Sequence, residues 1–268
     1  MQLTSDDAQI FYQVQGNGPT LVLLHPYPTI HRFWQPLAAR LAEDYRLLMP
    51  DLRAHGASSP GTGPATMEKH AADLVRLCDQ EGIKQAIFFG VSIGGYILFE
   101  FWRRNRERIR ALVLSDTKAQ SDSPEARTSR LNLASEVENK GPDDYLDSMI
   151  QKLLGESTRR NRPDVVKQAR EMMGEMKVAG IAAALRGMAV RADSVSTLSS
   201  INVPVLAMVG EEDTLTPSSD TELIHKGIKG SQFARVPAAG HYAPFEQPAA
   251  VLDSVLGFLQ KLPAAWSG

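Results

Sequence analysis

The chain has 268 residues, 43% of them hydrophobic and 22% charged, with a net charge of −2 at neutral pH. This length can bury a large core, and α/β chains of this size commonly form one unit. A nearly balanced charge gives no positive field to attract nucleic acid, so we expect no such partner. Cys78 is the only cysteine, which excludes an internal disulfide and a cysteine-based zinc site.

Compartment signals are absent from the sequence. The first 16 residues include two acidic residues and no apolar run of signal-peptide length. No stretch approaches the roughly 18 apolar residues of a membrane span. We therefore expect a cytoplasmic protein that has no membrane partner.

The strand pattern predicts a mostly parallel sheet of eight strands. Residues 1–15 alternate like a hairpin that ends in a turn at 16–19, and six apolar runs follow. Runs of this continuous apolar character suit strands that are covered on both faces. The six runs are 21–25, 45–50, 85–91, 109–116, 203–210 and 231–237. Because helical stretches follow most of them, we expect an α/β fold with helices on both faces.

A change of pattern marks a helical cap between the sixth and seventh strands. Residues 118–196 contain no strand candidate, and they divide the remaining chain into core segments 1–117 and 197–268. Tyr145 is the only aromatic residue of this segment, and several methionines are scattered through it. Flexible methionines could line a tolerant pocket, which makes Tyr145, Met149 and Met188 candidate substrate contacts, or they could simply fill the space between helices. The predicted cap helices are 124–138, 143–154, 163–177 and 179–190.

The sequence GVSIGG at 90–95 fits the pattern G-x-S-x-G, in which a serine lies on a strained turn between a strand and a helix. The flanking residues support this context, since a strand is predicted before it and a helix after it. Gly90 and Gly94 would allow the chain to double back without side-chain collisions. Ser92 is therefore the candidate nucleophile. The alternative is an ordinary Ser/Gly turn.

A serine hydroxyl needs a neighbouring base, and the base needs a group that fixes its tautomer. His241 follows the last predicted strand through a loop of small residues, so its ring is free to reach across the sheet. His25 ends a strand beside Ser92 and could border the site or make a structural hydrogen bond. The other histidines carry no supporting pattern; they are His31, His55, His70 and His225.

The candidate acid is Asp213, which follows the seventh predicted strand. The order Ser92, Asp213, His241 is the one typical of this strand–turn–helix nucleophile, and residues after parallel strands converge at one edge of the sheet. Glu211 and Glu212 are immediate rivals, and Asp116, at the end of another strand, is a more distant one.

Developing negative charge on the substrate requires two N–H donors. The Ile93 N–H, at the start of the helix, is the first candidate. The second should come from the loop after the first parallel strand, HPYP, where Pro26 and Pro28 have no N–H and leave Tyr27 as the backbone donor. Whether the Tyr27 ring contacts substrate or packs is left open by the sequence.

Five segments together resemble the α/β-hydrolase superfamily: residues 21–60, the GVSIGG motif, ALVLSDTKA, GEEDTLTP and AGHYAPFEQP. Within it, the chain is similar to small bacterial carboxylesterases and 3-oxoadipate enol-lactonase-like hydrolases. The resemblance covers nearly the whole chain and implies a four-helix cap, the catalytic residues Ser92, Asp213 and His241, and the oxyanion donors Tyr27 and Ile93. Pro26 departs from the glycine that the family often has at that position.

The resemblance implies hydrolysis of small or medium carboxylic esters through an acyl-serine, without a metal or a cofactor. Enol-lactone hydrolysis is the alternative, and its carboxylated substrate would need a cationic partner such as Arg127, Arg130, Arg186 or Arg191. The enol-lactonases usually have a cap tryptophan, which this cap lacks. Perhydrolysis and carbon–carbon bond hydrolysis use the same triad, and the same fold can serve as a non-catalytic ligand-binding protein. These three functions are therefore further alternatives. The sequence does not define the oligomeric state.

Overall fold

A computed structural model of the chain describes residues 1–263, in which the eight predicted strands form one sheet. The strand order is β1-β2-β4-β3-β5-β6-β7-β8; β1 and β2 pair antiparallel, and β3 to β8 pair parallel. The predicted fold class is confirmed. The strands are β1 Gln2–Ser5, β2 Ala8–Gln15, β3 Thr20–Leu24, β4 Arg46–Pro50, β5 Ala86–Val91, β6 Ile109–Ser115, β7 Val205–Gly210 and β8 Gln232–Val236.

The central strands are apolar because both of their faces are covered. Every residue of β5 and β7 is buried, as expected for parallel strands between two helical layers. The chain leaves β3 toward β4 and then crosses to β5 on the other side of β3. This reversal opens a crevice at the carboxyl ends of β3 and β5, which is where α/β sheets bind ligands.

Twelve α-helices occur within the described part of the chain, besides short 3₁₀ helices at His31–Trp34 and Arg106–Arg108. Core helices pack against one another, among them α1 (Gln35–Leu41) against α12 (Pro248–Leu259) and α2 (Met67–Gln80) against α3 (Ile93–Asn105). Thr66 caps α2, as its hydroxyl accepts a hydrogen bond from the Lys69 N–H. The core helices are α1 Gln35–Leu41, α2 Met67–Gln80, α3 Ile93–Asn105, α10 Ser218–Gly227, α11 Ala243–Glu246 and α12 Pro248–Leu259. None of the helices in residues 1–263 has the length and apolarity needed to cross a bilayer.

Six helices lie between β6 and β7, where the cap was predicted. The expectation of four helices is incomplete, because Glu156–Asn161 and Val195–Leu198 form two more short helices. Helices of four to six residues are too short to show a 3.6-residue apolar period. The four longer helices match the prediction, and two of them, α4 and α8, pack along each other. The six are α4 Pro124–Lys140, α5 Asp143–Leu153, α6 Glu156–Asn161, α7 Pro163–Met173, α8 Val178–Ala189 and α9 Val195–Leu198.

Candidate active site

Ser92 lies on a strained turn between β5 and α3. Its backbone has φ 54° and ψ −113°, a conformation that costs energy for any residue with a Cβ. Crowding explains the flanking glycines: a Cβ on Gly90 would lie 2.5 Å from the Gly94 carbonyl carbon, and one on Gly94 would lie 2.6 Å from the Leu24 carbonyl oxygen. The strain and the close contacts are those that the GVSIGG motif predicts.

Both predicted oxyanion donors have free N–H groups. Within residues 1–263, neither the Ile93 N–H nor the Tyr27 N–H donates a backbone hydrogen bond. Ile93 is the first residue of α3, a 13-residue helix, so its N–H points along the positive end of the helix dipole. Unpaired N–H groups in a buried region need a partner, and an oxygen that becomes negatively charged would supply one.

His241 and Asp213 form a buried pair. The His241 Nδ1 lies 2.8 Å from the Asp213 Oδ2, and the two side chains are 3% and 0% exposed. The other carboxylate oxygen, Oδ1, accepts hydrogen bonds from the Leu215 and Thr216 N–H groups at 2.8 and 3.0 Å. The Thr216 hydroxyl donates to Oδ2 at 2.6 Å. Asp213 is thus fixed from three sides in the orientation that a triad requires.

The pKa values of the two aspartates that follow neighbouring strands are shifted in opposite directions. Burial alone would raise the pKa of Asp213, but His241 and the hydrogen bonds from Thr216 hold that pKa below its ordinary value. Burial and the nearby Asp213 carboxylate raise the pKa of Asp116 well above its ordinary value. Asp116 instead accepts hydrogen bonds from the Gly210 N–H at 2.8 Å and the Ser115 hydroxyl at 2.5 Å. Among the rival acids in residues 1–263, Asp213 alone contacts a histidine.

Ser92 and His241 line one cavity of about 240 Å³. Ser92 is 8% exposed and His241 3% exposed, so both are shielded from bulk water. No hydrogen bond joins their side chains in the described residues. Catalytic hydrogen bonds are often long in ligand-free enzymes and shorten when substrate binds. The structure therefore brings the three predicted triad residues together, without a hydrogen bond between the Ser92 and His241 side chains.

The apolar wall of the cavity comes largely from the cap. Tyr145, Met149 and Met188, which the sequence analysis singled out, all line it, together with leucines from both sides. Tyr27 also lines it, and the Tyr27 ring packs edge-on against His55 at 5.8 Å between centroids. The Tyr27 ring thus packs against His55, and its contact with substrate stays a prediction. The leucines are Leu133, Leu153, Leu185 and Leu215.

A positively charged wall faces the apolar one. Lys118, Arg130 and Lys152 line the cavity. Beside it, the Asp122 carboxylate lies 2.6 Å from Arg130, 2.8 Å from Arg191 and 3.9 Å from Lys118. Beside the cavity, one carboxylate thus pairs with three cations. Sequence reasoning missed both lysines, although Lys118 follows β6 and so lies at the carboxyl edge of the sheet.

Four predicted contacts lie outside the cavity lining. His25 is buried, its Nδ1 lies 3.0 Å from the Pro26 carbonyl oxygen, and its Nε2 accepts from the Leu52 N–H at 3.0 Å. Backbone groups therefore occupy both of its nitrogens, which is the structural alternative given above. Among the four arginine candidates, only Arg130 reaches the cavity; Arg186 pairs with Glu138. The rest of that set, Arg127 and Arg191, are also absent from the lining.

Comparison with known proteins identifies the family of the chain. The model of a family described as the alpha/beta hydrolase fold matches residues 19–248. The chain belongs to this alpha/beta hydrolase family. Within residues 1–263, no group of three or more histidine, cysteine or acidic side chains could hold a metal ion.

Similar members of the family are named as hydrolases of esters and lactones. A thermophilic esterase from Thermogutta terrifontis, solved with malate bound, is 36% identical, with a TM-score of 0.94 over 98% of both chains. The enol-lactonase from Burkholderia xenovorans is 25% identical, with a TM-score of 0.91 over 97% of this chain and 100% of its own. The 3-oxoadipate enol-lactonase 1 of Acinetobacter baylyi is 26% identical over 93% of this chain and 92% of its own length. Hydrolysis is the class of reaction that these relatives support.

Proposed function

We propose that this protein is a serine esterase that cleaves small to medium carboxylic esters through an acyl-serine intermediate. The observation that carries the proposal is the buried Asp213–His241 pair, whose histidine lines the same cavity as Ser92. In this reaction Ser92 Oγ attacks the ester carbonyl while His241 Nε2 takes the hydroxyl proton. Asp213 holds His241 Nδ1–H, so the imidazole presents its unprotonated nitrogen to the serine.

The remaining steps use the same groups. The tetrahedral oxyanion would accept hydrogen bonds from the Tyr27 and Ile93 N–H groups, each of which contributes about a hundredfold to a thousandfold in rate at comparable sites. His241 then returns the proton to the leaving alcohol, and a water molecule, deprotonated by His241, hydrolyses the acyl-serine. The cavity of about 240 Å³ fits an acyl group of a few carbons and argues against long chains.

A series of p-nitrophenyl esters tests the proposal. Purified protein should release nitrophenol from acetate and butyrate esters much faster than from palmitate, because the long chain exceeds the cavity. Ser92→Ala should remove nearly all turnover while its melting temperature stays close to that of the wild type. Hydrolysis retained by the alanine variant would contradict the assignment of Ser92.

Enol-lactone hydrolysis is the second candidate, and the positive wall of Lys118, Arg130 and Lys152 favours it. A carboxylate on the substrate would find cationic side chains there, and two relatives are named as enol-lactonases. The comparison that separates the candidates is kcat/KM on a carboxylated enol-lactone against kcat/KM on a neutral ester of similar size. A preference of more than about a hundredfold for the lactone, or roughly 2.7 kcal/mol, would make enol-lactone hydrolysis the first candidate and ester hydrolysis the second.

We also propose that residues 118–196 act as a cap that completes the substrate pocket, over a core of residues 1–117 and 197–268. Tyr145, Met149 and Met188 in the cavity wall support this division.

A further inference from the structure

Glu246 is a fully buried carboxylate next to the loop that carries His241. Its Oε1 accepts hydrogen bonds from the Gly240 N–H at 2.9 Å and the Tyr242 N–H at 3.2 Å. Its Oε2 accepts one from the Gly155 N–H at 2.8 Å. One carboxylate therefore binds the backbone on both sides of His241 and, at the same time, the backbone of the cap.

Among residues 1–263, no lysine, arginine or histidine forms an ion pair with Glu246. Burial raises the pKa of this carboxyl, and the three N–H donors act in the opposite direction. An unpaired buried carboxylate is costly unless hydrogen bonds satisfy its oxygens. Core packing does not need such a group, which suggests that its hydrogen bonds serve the loop that they hold.

The same cap segment contacts the histidine loop and the acid loop directly. The His241 N–H donates to the Leu153 carbonyl oxygen at 2.9 Å. On the acid side, the Glu212 side chain accepts from the Ser157 N–H at 2.8 Å, and the Glu212 N–H donates to the Ala239 carbonyl oxygen at 2.8 Å. Residues 153–157 thus bridge the loops that carry Asp213 and His241. We call these three segments (153–157, 211–213 and 239–242) the joint.

Glycines let the backbones of the joint approach each other. A Cβ on Gly155 would lie 2.8 Å from the Gly240 nitrogen and 2.5 Å from a Glu212 carboxylate oxygen, and a Cβ on Gly240 would collide with the Gly155 nitrogen. Contacts this close leave little freedom for either chain segment. The position of His241 is consequently tied to the position of the cap.

We infer that Glu246 is a positioning residue for His241. It fixes the path of the backbone through residues 240–242 and locks that path to residues 153–157 of the cap, so that the imidazole stays aimed at Ser92. This inference rests on the proposed function, since it assigns Glu246 a part in keeping the base in place. Glu246 itself does not line the cavity and has no chemical step to perform.

The test is Glu246→Gln, which keeps the shape of the side chain but turns one acceptor oxygen into an NH₂ group that faces an N–H donor. A misplacement of about 1 Å at a reacting group can cost about a hundredfold. We expect kcat on p-nitrophenyl butyrate to fall by about 10- to 100-fold while KM changes less than about threefold. Hydrogen exchange should speed up at the Gly240 and Tyr242 amides. An unchanged kcat, with or without faster exchange, would overturn the inference.

Two further variants separate positioning from stability. Asp73→Asn removes another buried carboxylate, one that binds Arg53 and Ser5 away from the cavity, and it should lower the melting temperature without lowering kcat. If both variants lose kcat in proportion to their loss of stability, Glu246 has only a structural role. In Gly155→Ala the added methyl group of the cap would displace the loop that carries His241, so this variant should also lower kcat by about tenfold. If Glu246→Gln does not fold, Gly155→Ala tests whether the position of this loop controls kcat.

The wild type distinguishes this inference from the proposed function. A wild type that neither hydrolyses esters nor reacts with a fluorophosphonate would overturn both. An active wild type, combined with Glu246→Gln and Gly155→Ala variants of normal kcat, would overturn only the positioning role.

Discussion

Replacing Asp213 by asparagine tests the triad through its hydrogen-bond geometry. The Leu215 and Thr216 N–H groups, at 2.8 and 3.0 Å from Oδ1, require an acceptor, so the amide oxygen of the asparagine should take that place. Its NH₂ group must then occupy the Oδ2 position, 2.8 Å from His241 Nδ1 in the native protein. A donor there forces His241 into the tautomer that carries its proton on Nε2.

That tautomer cannot accept the proton of Ser92. The same substitution in a characterised triad lowers kcat about 10⁴-fold, which corresponds to about 5.4 kcal/mol of transition-state free energy. We expect a loss of this order in kcat on p-nitrophenyl butyrate, with the melting temperature changed by only a few degrees. Neutral asparagine retains the backbone hydrogen bonds, so the fold should persist.

Asp116→Asn is the matched control. Burial and the nearby Asp213 carboxylate raise the pKa of Asp116, a shift that favours its neutral form, so a neutral amide of the same shape should lower kcat by less than about tenfold. A variant Asp213→Asn that keeps more than a tenth of the wild-type kcat would refute the tautomer argument. A large loss in Asp116→Asn with little loss in Asp213→Asn would move the acid role to Asp116.

Three other predictions concern stability and specificity. Burial lowers the pKa of His25 to about 3 and that of His55 to about 4. In the unfolded chain both histidines take up a proton below about pH 6.5. The free energy of unfolding should therefore fall between pH 6.5 and 4, by up to about 1.4 kcal/mol per pH unit for each histidine. Equal urea midpoints at pH 7.5 and 5 would contradict this. Gly94→Ala should lower the melting temperature and kcat together, because its Cβ would press on the Leu24 carbonyl; a fully active, equally stable variant would show that the turn is not crowded. Arg130→Gln should raise KM for a carboxylated enol-lactone by about tenfold or more, which is the effect of one lost charge-assisted hydrogen bond. The same variant should leave KM for a neutral ester nearly unchanged. Equal effects on both substrates would contradict carboxylate recognition by Arg130.

The sheet was predictable because its strands are buried on both faces. Continuous apolar runs such as those of β5 and β7 leave few alternatives, and the turn residues between them mark where each run ends. The short helix Glu156–Asn161 could not be found in this way, since six mostly polar residues carry no apolar period. Element bounds differed by a few residues, as at α7, which ends at Met173 rather than near residue 177.

Some residues of the candidate site could likewise be predicted from the sequence, and others could not. Ser92, Asp213 and His241 could be proposed from the sequence because each follows a recognisable strand and the chemistry demands those residue types. The functions of Lys118, Lys152 and Glu246 depend on which segments meet in space, and a single sequence does not show that residues 153–157 pack against the His241 loop. The place of His25 after β3 was compatible with substrate contact and with a structural hydrogen bond, and the backbone partners of both ring nitrogens agree with the second of these.

The central claim is that the Ser92 hydroxyl is activated by its surroundings, and covalent labelling measures this most directly. Wild-type protein treated with a fluorophosphonate should gain the mass of one phosphonyl group, located by peptide mass spectrometry on Ser92. The Asp213→Asn and Ser92→Ala variants should label far more slowly or not at all. A folded wild type that stays unlabelled, or one that is labelled at another residue while hydrolysing esters, would contradict the account.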